Sequence, residues 1–192
     1  MTVQIVEVLR RSEQGMTRPF ICRGDDDEIY FVKGIGAGRR SQICEWIAGN
    51  LGLALGLPIA PFVIVEVPEE LMQISSALNL SELGAGPAFG SQRQDDVLEL
   101  NMTVIHAIPA ALQQDVLAFD WWIRNNDRLL TGMGGNPNLF WNPRERELVV
   151  IDHNQAFDAE FDFKNFMAYH IFHTQKHQVF GDMLRRQDYT RR

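Results

Sequence analysis

The sequence predicts an α+β fold in two lobes, and three observations predict it. Residues 4–67 read as short β-rich runs with tight turns, interrupted by one helical run. Residues 109–124 read as a strong helix, and more helix follows toward the end. Strands come first and helices later, which is the α+β order rather than the strict alternation of a parallel sheet. The expected boundary lies near 94–101, giving a first lobe of about 1–97 and a second of about 98–192 within one domain.

The elements follow in order. Gln4 to Arg10 alternates as QIVEVLR, RPFICR reads as a second strand, and EIYFVK, Glu28 to Lys33, as a third. Asp25, Asp26 and Asp27 make the turn between the last two, so an antiparallel meander is expected. After GIGAGRR, the run SQICEWIAGNLGLALGL places Ile43, Ile47, Leu51 and Leu55 near helical spacing. Ser41 reads as its N-cap, and Gly56 with Pro58 ends it. IAPFVIVEV reads as a fourth strand and PAFGSQ as a short fifth. In the second half PAALQQDVLAFDWWIR is a helix, ERELVVIDH a strand ending in charge, and Phe161 to Leu184 a helix rich in Phe and His. Phe157, Phe161, Phe163, Phe166 and Phe172 are expected in the core, and at least one of Trp121 and Trp122 under the loop that follows them.

Composition narrows the function. Hydrophobic residues make up 45% of 192, enough for a core of its own. A net charge of −7 argues against a dominant nucleic-acid or anionic-membrane surface. No apolar run approaches the ~18 residues of a membrane span. The N-terminus lacks a basic start and an apolar block, so a cytoplasmic protein is expected. Cys22 and Cys44 read as reduced thiols.

The stretch WWIRNNDRLLTGMGGNPNLFW carries more side-chain oxygens than a turn requires. Five polar residues close apolar elements along the chain: Lys33, Glu45, Asp127, Asn138 and Asp152. Phosphoryl transfer needs this inventory. A lysine neutralises nucleotide phosphates and a glutamate orients it. An aspartate positions the attacking hydroxyl, while an asparagine and a second aspartate give Mg²⁺ its hard oxygen donors. Their order along the chain is also that of a protein kinase. Each has a plainer reading: a solvent lysine, a first-turn glutamate favoured by the helix dipole, or a turn asparagine. Five in order outweigh those readings, and Asp152 after an apolar strand needs a partner in any case.

The motifs YFVKG, ICEWIAGNLGLALGLPIAP, GPAFGS, FDWWIRNNDR, NPNLFW and VVIDHNQAF run from about Ile29 to Phe157. In these the chain resembles the HipA-like kinases, of the wider protein-kinase-like fold shared with the phosphatidylinositol kinases. The resemblance implies a two-lobed kinase that uses ATP and Mg²⁺ to phosphorylate a hydroxyl, most naturally Ser or Thr of a protein substrate. It implies Lys33 on the phosphates with Glu45 beside it, Asp127 as catalytic aspartate, and Asn138 and Asp152 on Mg²⁺. It implies an adenine-binding hinge formed by the backbone near Phe89 to Gln92, with Phe89, Ser91 and Gln92 its residues. HipA-like kinases are often toxins paired with a DNA-binding antitoxin, so an antitoxin-like partner is a further expectation. The sequence departs from eukaryotic kinases in carrying NNDR and IDH where those have HRD and DFG. The loop between the first two strands has one glycine, Gly15, and only 40 residues follow Asp152. These departures keep a nucleotide-binding pseudokinase as the alternative.

Two other readings compete. Gly34, Gly36 and Gly38 could cradle phosphate at a helix N-terminus, but GxGxG after a meander lacks the acidic residue that a dinucleotide site wants some 20 positions on. A lobe hinge with Arg39 and Arg40 near phosphate or a partner fits the run better. His170, His173 and His177 recur at helical spacing and raise a zinc hydrolase. Three ligands on one rigid helix rarely converge on one ion, so a polar helix face is the plainer account.

Overall fold

A computed structural model describes residues 2–13, 17–74, 79–131 and 134–181. Gly15 and the basic end RRQDYTRR lie outside the described residues. The architecture is mixed α+β, and contacts divide the chain into two units, 1–50 with 59–95 and 51–58 with 96–192.

The first unit holds β1 (Val3–Arg11), β2 (Phe20–Gly24), β3 (Ile29–Lys33), β4 (Phe62–Val67) and β5 (Gly86–Gln92). The first three pair as the expected antiparallel meander, with Cys22 opposite Tyr30 and Phe20 opposite Val32. The expected antiparallel sheet then closes into a barrel of order β1-β2-β3-β5-β4. Closure comes from a short parallel pairing of β1 with β4, Val3 opposite Val65 and Gln4 opposite Glu66. A closed sheet has no exposed edge to protect. The expected minor fifth strand is central: β5 lies between β3 and β4 and pairs antiparallel with both. Ile5, Cys22, Val32, Val65 and Leu83 fill this unit's core. Burial pushes the Cys22 thiol up to about 12, so it packs as an inert apolar group.

Helix α1 (Arg39–Ala54) starts before the predicted cap, so Ser41 lies inside it. The chain enters through Gly38, whose φ of 81 is in the left-handed region that favours glycine. A Cβ on Gly34 would stand 2.1 Å from the Leu83 carbonyl oxygen. These glycines therefore let the 35–37 turn pack on the 80–84 segment, where Ile35 N–H donates to Leu83 O at 3.1 Å. Helix α2 (Glu69–Ile74) completes the unit.

The second unit holds β6 (Leu98–Glu99), α3 (Ala110–Trp122), the hairpin β7 (Leu129–Thr131) and β8 (Gly134–Asn136), β9 (Leu139–Asn142), β10 (Glu147–Val150) and α4 (Phe163–Tyr169). The sheet order is β10-β9-β6, all antiparallel. Leu117, Phe166, Phe172 and Phe180 are buried, but Phe157 and Trp122 are exposed. Of the tryptophan pair, Trp121 is half-buried and meets Phe180 edge-on at 5.3 Å. The expected long helix from Phe161 is broken. Asp162 caps α4 by accepting from Lys164 N–H and Asn165 N–H, and the helix stops at His170, which is extended (φ −55, ψ 138). There the chain bridges to the hairpin, with Ile171 N–H donating to Arg128 O. His170, His173 and His177 therefore do not share one helix face. Among the described residues no three His, Cys, Asp or Glu side chains gather as a metal set, and no helix is long and apolar enough to cross a membrane.

Candidate active site

The first unit carries a buried ion pair. Lys33 ends β3, opposite Phe89 in the ladder, and Glu45 lies in the second turn of α1. Lys33 Nζ donates to Glu45 Oε1, with the residues only 7% and 2% exposed. A lysine so enclosed is not the solvent lysine of a strand end, and a glutamate so enclosed is not a surface helix-dipole residue. Burial at both ends demands this pairing, since either charge alone is costly.

Phe89, Ser91 and Gln92 lie on β5. Phe89 is buried and stacks on Phe62 at 5.5 Å, while Ser91 and Gln92 are half-buried. Ser91 sits between Phe31 and Phe62 in register, so the strand here is paired on both sides. A strand paired on both sides has its peptide groups committed, and the ladder ends only at Gln92.

The second unit builds a larger cluster around the loop after α3. The helix ends at Trp122, and Arg124 takes a left-handed φ of 52 to turn the chain. Asp120, on the last turn, is wholly buried and binds three residues. Its Oδ1 accepts from Asn125 Nδ2 at 2.8 Å. Its Oδ2 accepts from Arg128 Nε at 2.7 Å and meets His170 Nε2 at 3.2 Å. His170 Nδ1 accepts from Phe172 N–H, so the ring is the tautomer with its proton on Nε2, which donates to Asp120. Burial alone would push the Asp120 carboxyl up. The Arg128 guanidinium and the His170 hydrogen bond more than offset that and hold it at about 2. Burial pushes His170 down, against the pull of Asp120, so the ring stays neutral.

From this anchor the site residues are placed. Asn125 Oδ1 accepts from Asp127 N–H at 3.4 Å. Asn138 Nδ2 donates to Asp127 Oδ2 at 3.2 Å and to Asp127 O at 3.3 Å. Ile151 N–H donates to Asn138 O at 3.1 Å, which sets the strand before Asp152 against Asn138. Asp127, Asn138 and the approach to Asp152 are thus brought together within one unit. Asn138 and Asp152 both take left-handed φ, 53 and 56. Such backbone is uncommon outside glycine and persists only where its surroundings hold it, a pattern found at working sites.

The donor set fits Mg²⁺. The Asp152 carboxylate and the Asn138 amide offer hard oxygens of the kind it takes, and donation by Asn138 Nδ2 to Asp127 leaves Oδ1 as the amide's remaining polar atom. Asn126, beside Asp127, and Asn154, two residues past Asp152, each bury an amide oxygen without a hydrogen-bond partner among the described residues. Orphaned oxygens of this kind suit a place where a ligand or its waters complete the bonding.

Sequence reasoning missed Asp120 and Arg128 and left His170 without a role. The available signal was Asp120 itself, a carboxylate flanked by Phe119, Trp121 and Trp122 near the end of the helix, which needs a buried partner.

Comparison with protein families assigns the class: a family of kinases matches residues 5–192. The chain belongs to the HipA-like kinase family. Comparison with curated proteins found no match.

Proposed function

We propose that the chain transfers the γ-phosphoryl group of ATP, with Mg²⁺, to a hydroxyl, and that the acceptor is Ser or Thr of a protein. Family membership supports a kinase. The single observation that carries the finer reading is the Asp127–Asn138 hydrogen bond with the Asp152 segment tied to Asn138. This is the set of groups that phosphoryl transfer uses.

In this reading the substrate hydroxyl oxygen bonds to the γ-phosphorus and the bond to the β–γ bridging oxygen breaks. ADP leaves, and the hydroxyl proton passes to Asp127. Asp127 also orients the hydroxyl, held by Asn125 at its backbone and Asn138 at its carboxylate. Asn138 and Asp152 would hold Mg²⁺, which supplies charge neutralisation on the phosphate oxygens. Lys33, kept in place by Glu45, takes the phosphates. Phe89, Ser91 and Gln92 serve the adenine side through their side chains and the peptide groups past the end of β5. A two-lobed kinase arrangement, a cytoplasmic setting and an antitoxin-like partner belong to the same proposal.

Asp127→Ala and Asp152→Ala should each abolish transfer of labelled phosphate from ATP to protein, with the unfolding transition still cooperative. Normal transfer by both variants would sink the reading. ATP binding by wild type with no transfer to any protein would replace it with the pseudokinase.

A further inference from the structure

Asn138 and Asp152 share a problem that neither solves alone. Each has φ near +55, which non-glycine residues rarely adopt, and the surroundings must hold it there. A residue's φ turns about the bond between its own nitrogen and Cα. That nitrogen belongs to a planar peptide unit whose oxygen comes from the residue before. The peptide oxygens that govern these two φ values are therefore those of Pro137 and Ile151.

One guanidinium reaches both. Arg128 Nη1 lies 2.9 Å from Ile151 O and 3.4 Å from Pro137 O, and it donates to Asn138 O at 2.8 Å. Arg128 is wholly buried, and its Nε is fixed by Asp120. Its Nη2 is buried without a hydrogen-bond partner among the described residues. The side chain is thus placed for these carbonyls and not for its own full satisfaction.

We infer that Arg128 is the positioning residue of the metal site: anchored on Asp120, it holds the peptide units before Asn138 and Asp152 so that both side chains present their oxygens to one divalent cation. The inference rests on the proposed kinase reading and names the residue that gives its metal set a shape. Arg128 touches neither phosphate nor hydroxyl in this account; it acts through the backbone. Lysine cannot replace it, because one ammonium lacks the planar fork that binds Asp120 through Nε and the carbonyls through Nη1.

The test is a titration of Mn²⁺, read by its electron paramagnetic resonance, into the full chain with a non-hydrolysable ATP analogue. Arg128→Lys keeps the buried charge. Asp120→Asn with Arg128→Gln removes both charges together, so no lone buried ion opposes folding. Each folded variant should bind Mn²⁺ about 10–100-fold more weakly than wild type, the usual loss when a residue behind a metal ligand is removed. In turnover, kcat should fall, raised Mg²⁺ should restore part of it, and KM for ATP should move least. A merely structural role would not shift metal affinity in a folded protein. Mn²⁺ affinity within about twofold of wild type in a folded variant would overturn the inference. Asp152→Asn separates the two levels. If it loses Mn²⁺ while the Arg128 variants keep it, only the role of Arg128 falls. If Asp152→Asn binds Mn²⁺ normally, the kinase site itself is misread and this inference falls with it.

Discussion

The two charged centres of this chain are built on opposite plans. In the first unit a strand end and a helix turn each contribute one residue, and Lys33 and Glu45 bind each other. In the second, Asp127, Asn138 and Asp152 sit on irregular backbone, two of them at left-handed φ. Regular elements hold their side chains through their own backbone hydrogen bonds. Irregular segments must be held from outside, and here Asp120, Asn125, Arg128 and His170 do it from burial. The loop site therefore draws on a buried polar scaffold gathered from Asp120, Asn125, Arg128 and His170, where the strand-and-helix site is placed by regular elements.

The sharpest way to break this comparison is to remove the scaffold's centre. Asp120→Ala strips partners from Arg128, Asn125 and His170 together and leaves the guanidinium buried without its carboxylate. It should cost about 3–5 kcal/mol, the usual penalty for halving a buried pair. Denaturant unfolding measures it. A loss no larger than a surface substitution would mean the loop holds itself.

A gentler change should follow from the first unit. Glu45→Gln keeps the shape and a hydrogen-bond acceptor for Lys33 Nζ but removes the compensating charge. A loss of about 1–3 kcal/mol is expected, as for a weakened buried hydrogen bond. If it matches the loss in Asp120→Ala, the two centres do not differ in the way described.

How far the sequence revealed each centre follows from the same contrast. Lys33 and Glu45 stand out because strand and helix periodicity place them without tertiary knowledge. Asp127, Asn138 and Asp152 could be picked out as a set, because phosphoryl transfer uses such groups in that order, and the fold joins Asp127 to Asn138. Of their support, Asp120, Arg128 and His170 were not legible in that role. His170 lies 50 positions from Asp120, and only the fold joins them. The break in the last helix was hidden because neither glycine nor proline marks it. The chain leaves helix at His170 for a tertiary reason, the bridge to Leu129 and the hydrogen bond to Arg128 O. Barrel closure was hidden likewise, since the β1–β4 pairing is parallel and joins residues some 60 positions apart.

The smallest effect separates the scaffold by pH. Burial places the folded pKa of His170 below the usual 6.5. Below pH 6.5 the unfolded chain takes up a proton on this ring that the folded chain does not, so stability falls as pH falls, until the folded ring also protonates. The slope is at most about 1.4 kcal/mol per pH unit. Asp120 acts in another window. Its folded pKa of about 2 lies below the ordinary 3.8, so its contribution is complete above about pH 4 and is lost as pH drops toward 2. His170→Gln offers Asp120 an amide donor without a titrating ring. Thermal melting between pH 7 and 5 should then show a flatter pH dependence than wild type, while the loss below pH 4 remains. Equal slopes between pH 7 and 5 would mean that the buried ring takes up its proton as readily folded as unfolded, against the neutral ring that burial and the Phe172 N–H donation to Nδ1 favour.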